Sequence, residues 1–160
     1  MTTRALPFFI ILLPWLTAAA PAPRIVAAAG QWAALGTRAQ CDAASLSLLP
    51  ASKSRLQGRA SVTFDRGKRH GQFAAALSKP VGSGAAMLTI GDQPFLLVAR
   101  GPSSWSRGPR QEAAIIAAMR GAAQMRIEGR SVRGMRFIDR YDLNGAPTAI
   151  DAAAACGAAL

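Results

Sequence analysis

The sequence predicts a mainly β chain: an antiparallel β-sandwich or barrel-like domain with one short middle helix and a C-terminal helix. Three observations carry this expectation. Between residues 31 and 99, short apolar-rich segments follow one another with only Gly, Pro, Ser and Asp punctuation between them. No helical segment separates them, which favours antiparallel neighbours over parallel strands joined by crossovers. From residue 108 the apolar spacing changes to that of a helix, and a second helical spacing runs through "APTAIDAAAAC" near the end of the chain.

The chain opens on a basic residue, Arg4, followed by "ALPFFIILLPWLTAAA" (5–20), which carries no charge. A membrane span needs about 20 apolar residues, and this run is shorter and interrupted by Pro7 and Pro14. It reads as the apolar region of a secretory signal peptide, with a small-residue cleavage zone in "TAAAPAPRIVAAAG". The cut falls either near Ala20 or after the "AAA" that precedes Gly30. Residues 1–29 are therefore assigned to leader and cleavage region and 30–160 to a single β-rich exported domain. The expected location is periplasmic or secreted, with no stable transmembrane segment once the leader is removed.

Within the domain, "QWAALGT" (31–37) and "CDAASLSLL" (41–49) are the first two candidate strands, and 50–58 is a polar connection. "RASVTFD" (59–65) alternates Ala60, Val62 and Phe64 against Arg59, Ser61, Thr63 and Asp65, the period of a half-buried strand. "RGKRHG" (66–71) is a charged tip leading into "QFAAALS" (72–78), so the two strands form a hairpin. Ala86–Ile90 and Phe95–Ala99 form another across "GDQP", and "GSG" (82–84) reads as a turn. In 108–121, Pro109 suits a first helical turn, Glu112 the positive end, and Arg120 with Gly121 the close; Ile115, Ile116 and Met119 share a face. "QMRIEG" and "GMRFIDRYDL" are two further strands, the second with Met135, Phe137, Tyr141 and Leu143 on one parity. The last helix is expected to be capped by Asn144, to hold Pro147 in its first turn and to end at Gly157. Ala149, Ala152, Ala153 and Cys156 form its small-residue stripe, and Asp151 lies on its exposed side.

There are two cysteines, and in an exported chain of this length such a pair is expected to be oxidised. A Cys41–Cys156 disulfide would close a loop of about 115 residues, worth about 4–5 kcal/mol in the chain-entropy model. Only Arg4 of the 19 Lys and Arg lies before Pro21, and no acid does, so 18 basic and 8 acidic side chains follow it, a net charge of +10. Such a balance favours anionic partners. Export points away from nucleic acid and towards anionic envelope lipid, lipopolysaccharide or an acidic protein.

No catalytic, metal or cofactor site is predicted, and the chain is expected not to be an enzyme. His70, the single histidine, sits in a basic tip; there is no CxxC, no G-x-S-x-G elbow, and "GSG" lacks a P-loop lysine. Asp139 and Asp142 are expected to serve turns and salt bridges beside Arg136 and Arg140. The candidate anion-binding residues are Arg126, Arg130, Arg133, Arg136 and Arg140, whose guanidinium groups can share one face if the last two strands pair. Glu128, Asp139 and Asp142 lie among them and are candidates to neutralise them. Trp105, in the polar stretch "GPSSWSRGP", is either a partner contact or a side chain folded back on the core.

Taken together, Trp32 with Cys41 soon after it, "GSGAAMLTIGDQPFLLV", the short helix followed by "MRIEG", and "DRYDLNGAPTAIDAAAAC" resemble the invasion-associated locus B family of bacterial exported proteins. The resemblance runs from about Gln31 to Cys156. It implies a periplasmic or outer-surface protein of mainly β structure, associated in some pathogens with entry into host cells, and no catalytic residues. Members commonly hold a second, central cysteine pair where this chain has Ser104 and Trp105, so it resembles a divergent branch with one disulfide. The alternative expectation is a structural or stress-protective envelope protein that acts through protein partners.

Overall fold

The computed structural model describes residues 22–67 and 69–160. The basic opening and apolar run of the expected leader, and Lys68 in the charged tip, lie outside the described residues. Eight strands and two helices follow in the order β1 (Arg24–Ala29), β2 (Trp32–Gly36), β3 (Gln40–Leu46), β4 (Arg59–Asp65), β5 (His70–Ile90), β6 (Gln93–Trp105), α1 (Pro109–Gly121), β7 (Gln124–Arg130), β8 (Arg136–Asp142) and α2 (Ala146–Ala158). Every strand pairing is antiparallel, in one sheet of order β1-β2-β3-β4-β5-β7-β8 with β6 on the other edge of β5.

The mainly β, antiparallel fold with a middle and a C-terminal helix is the one the sequence predicts, and the sheet is not closed into a barrel. Its outer strands β1 and β8 are not ladder partners. They are brought together by the Gln31 N–H donating to the Asn144 carbonyl (3.0 Å) and the Trp32 Nε1–H donating to the Asp142 carbonyl (2.8 Å).

Two features differ from the expectation. The sheet starts six residues before the expected domain boundary at Gly30, because Arg24–Ala29 pair with Trp32–Gly36 across a turn in which Gly30 is left-handed (φ 54°). The two segments 72–78 and 86–90 are one continuous strand. The intervening "KPVGSG" is not a turn but an irregular bend, with register shifts against β6 between Ala76 and Val81 and between Val81 and Ser83. Along one edge of β5, Ala76–His70 face β4 before the bend and Met87–Ile90 face β7 after it. Pro80 is tolerated there because neither ladder claims its missing N–H.

One core joins both parts of the sheet to the helices, with Trp32, Phe73, Leu77, Leu88, Ile115, Met119, Ile127 and Ile150 among its fully buried members. Helix α1 has Pro109 in its first turn, Glu112 near its start and Arg120 near its end, and buries Ile115, Ala118 and Met119. Helix α2 buries Ala146, Ala149, Ile150, Ala153 and Gly157 and lies across β1 to β4. Its small residues set how close it comes: a Cβ on Gly157 would fall 2.6 Å from the Phe64 Cβ, and one on Gly36 would fall 3.1 Å from the Cys156 Sγ.

The ends of α2 differ from the expected capping. The N-cap is Gly145, left-handed at φ 86°, and no side chain caps it; the Asn144 N–H instead donates to Asp142 Oδ1 (2.7 Å). Gly157 does not end the helix but lies within it, where its missing side chain makes room for Phe64. Across the contact with β3, Cys41 and Cys156 form the expected disulfide, with Cα atoms 6.0 Å apart and a sequence separation of 115.

Two stability predictions follow from this packing. Replacing both cysteines by alanine is expected to lower unfolding free energy in denaturant titration by about 4–5 kcal/mol; an unchanged midpoint would show that the crosslink contributes nothing. Gly145→Ala places a Cβ 1.8 Å from the Ala29 carbonyl oxygen in a left-handed backbone. The same titration is expected to show a loss of at least ~2 kcal/mol.

Candidate anion-binding face

Strand alternation sorts the basic residues of β7 and β8. On β7, Met125 and Ile127 turn into the core, leaving Arg126, Glu128 and Arg130 on the outer face. On β8, Phe137, Asp139 and Tyr141 turn inward, leaving Arg136, Ile138 and Arg140 outside. The register pairs Arg126 with Arg140, Glu128 with Ile138, and Arg130 with Arg136. Four of the five expected arginines therefore form two cross-strand pairs on one face, and Arg133 is exposed in the turn that joins the strands.

Like charges directly opposite each other on a sheet are destabilising, so this arrangement is not explained by stability. Glu128 offsets part of it, accepting from Arg126 Nε and Arg136 Nη2, each at 2.7 Å. These bonds, that to Arg136 first, hold the Glu128 carboxyl below the usual carboxylate range. Arg130 donates through Nη1 to the Gly134 carbonyl (3.1 Å). Neither Arg133 nor Arg140 has an ion-pair partner among the described residues. The five guanidinium groups outnumber the acids near them, Glu128 between the strands, Asp92 in the depression that Arg126 and Arg140 line and Asp142 on the outer parity of β8, and Arg126 and Arg136 remain 47% and 64% exposed. Shallow depressions flank the face, one over Ala85, Met87 and Leu96 beside Arg130 and Arg136, the other beside Arg126 and Arg140.

The expected neutralising role of Asp139 is not what the structure holds. Its parity matches Phe137 and Tyr141, so its carboxylate is buried and accepts the Ser78 backbone N–H at 2.9 Å, close to the bend in β5. The signal was present in the sequence as that shared parity, obscured by flanking arginines. Tyr141 is fully buried beside it, its hydroxyl without a hydrogen-bond partner among the described residues. Gly58 makes room for both: a Cβ there would lie 2.8 Å from the Tyr141 hydroxyl and 3.0 Å from Asp139 Oδ2. Burial, then the neighbouring Asp139 charge, pushes the Tyr141 hydroxyl well above its ordinary value.

Trp105 is not on a polar loop. It is the last residue of β6, opposite Ala74, and half-buried. His70 is exposed at the start of β5. Among the described residues no His, Cys, Asp and Glu side chains gather as a metal-binding group, and no helix is long and apolar enough to cross a membrane. Asp151, exposed on α2, pairs with Arg120 of α1 and ties the helices together.

Comparison with protein-family models, with curated proteins and with solved structures returns no match to this chain.

Tyr141 generates a pH prediction. An acid whose folded pKa is raised adds stability that is present below its unfolded pKa of about 10 and is lost as pH rises above it. Tyr141 is the only tyrosine, so tyrosinate absorbance is expected to appear only as the fold opens above about pH 10. Tyr141→Phe is expected to shift alkaline unfolding to higher pH; tyrosinate forming in the intact fold would contradict this.

Proposed function

We propose that this chain is an exported, non-catalytic envelope protein of the kind the invasion-associated locus B resemblance implies, and that the outer face of β7 and β8 binds an anionic partner. The observation that carries the reading is the register itself, which sets Arg126 against Arg140 and Arg130 against Arg136 on an exposed surface. A site that must receive phosphate or carboxylate gains from guanidinium groups that offer paired N–H donors. The unfavourable proximity of like charges is then relieved when the anion arrives.

Export is supported by the long-range disulfide, which persists in oxidising compartments. Of the two candidate cleavage positions, the one near Ala20 agrees with the sheet, since a cut after Ala29 would remove β1 from its pairing with β2.

Titration with soluble inorganic polyphosphate at low ionic strength tests the binding face. The protein is expected to bind, and added salt to weaken binding steeply. The double variant Arg126→Gln, Arg140→Gln is expected to bind at least ~10-fold more weakly, by loss of two charge-assisted contacts. Absence of binding at low salt, or equal binding by the variant, would remove the proposal.

A further inference from the structure

The turn between β7 and β8 has a composition its geometry does not require. Ser131 to Met135 close it through the Gly134 N–H donating to the Ser131 carbonyl (2.8 Å) and the Ser131 N–H donating to the Met135 carbonyl (2.9 Å), with Gly134 left-handed at φ 76°. Such a turn is served by small polar residues. Here Val132 is 65% and Met135 55% exposed, between Arg130, Arg133 and Arg136. The Val132 N–H, which donates to the Pro80 carbonyl (3.0 Å), holds the turn against the bend in β5, while Arg130 Nη1 donates to the Gly134 carbonyl within the turn.

A second loop meets the same bend. The connection from β3 to β4 is closed at its base by the Ser47 N–H donating to the Gly58 carbonyl (2.8 Å), and the Leu56 N–H donates to the Ser78 carbonyl (3.2 Å), two residues along β5 from Pro80. Leu56 is 66% exposed, with exposed Lys53 and half-buried Arg55 on the same loop, the latter donating through Nη2 to the Pro50 carbonyl. Two neighbouring loops thus present large apolar side chains to water, each accompanied by basic residues.

We infer that these loops dock the protein on a bilayer surface bearing anionic phosphate headgroups. Leu56, Val132 and Met135 enter the interface, while Lys53, Arg130, Arg133 and Arg136 bind the headgroups. The inference rests on the reading of the β7–β8 face as an anion site and commits its partner to lipid. Charge complementarity selects an anionic surface, and the exposed apolar side chains distinguish it from a soluble polyanion, which has nothing to contact them. An acidic protein partner fits less well, because exposed apolar side chains spread over two loops, Leu48, Leu49 and Leu56 on one and Val132 and Met135 on the other, do not make the broad patch of a standard protein interface. Loops already fixed by backbone hydrogen bonds lose little conformational freedom on binding.

Co-sedimentation with vesicles of phosphatidylcholine containing phosphatidylglycerol, and with phosphatidylcholine alone, tests the inference alongside the polyphosphate titration. The unmodified protein is expected to sediment with the anionic vesicles and not with the neutral ones. The triple variant Leu56→Ser, Val132→Ser, Met135→Ser changes exposed positions only. It is expected to bind anionic vesicles at least ~10-fold more weakly while keeping its polyphosphate affinity. Arg133→Gln is expected to weaken vesicle binding about fivefold. Equal vesicle binding by the triple variant would overturn insertion and leave the anion site standing. Polyphosphate binding without vesicle binding would overturn the lipid partner in favour of a soluble anion or acidic protein. Failure to bind either would overturn both readings.

Discussion

The contact between α2 and the first four strands is the constraint on which the rest of the structure depends. It is made close by small residues, with Ala149, Ala153 and Gly157 buried on the helix, Gly36 beneath Cys156 and Phe64 beneath Gly157, and small residues bury little apolar area each. Close approach compensates by excluding water and by bringing Cys156 within crosslinking distance of Cys41. The disulfide then removes conformational freedom from nearly the whole unfolded chain. The same helix begins where the β1–β2 turn meets Asn144 and Gly145, so its docking also fixes the relation of β1 and β2 to β8. The end of β8, one of the two strands that carry the arginines, is tied to the β1–β2 turn by the Gln31 and Trp32 bonds.

Much of the architecture was legible because it is written in local periodicity. The alternation in 59–65, 124–130 and 136–142 identifies strands that the structure contains, and Pro109, Glu112 and Arg120 bracket α1. What local pattern could not carry was tertiary. Pro80, Gly82 and Gly84 have the composition of a turn, yet pairing with β6 on both sides of the bend carries the strand through it. Arg24–Ala29 resembles a cleavage zone in composition, and only its pairing with β2 makes it a strand. Gly157 has the look of a helix terminator, whereas its role comes from Phe64, a residue 93 positions earlier.

The candidate site was legible in its members and not in its environment. Alternation alone puts Arg126, Arg130, Arg136 and Arg140 on a common side, but the cross-strand register decides which oppose one another. Acidic residues near them in sequence suggested neutralisation. In the fold Asp139 faces inward and the Asp142 carboxylate accepts from the following turn, while Glu128 bridges Arg126 and Arg136 on the face. Elsewhere the acids also have local work: Asp42 accepts from Thr63 and Gln40, Asp65 from Arg69, and Asp151 pairs with Arg120. The positive excess is therefore left at the surface, concentrated where β7 and β8 pair.

The central claim, that the tail helix clamped by sulfur holds the first four strands in place, is tested most directly by native-state amide hydrogen exchange on oxidised and reduced protein. If it is right, reduction lowers protection first in α2 and in β1 to β3, while β5, β6 and β7 retain theirs under the same conditions. Protection that is unchanged on reduction, or that falls equally in every strand, would contradict it.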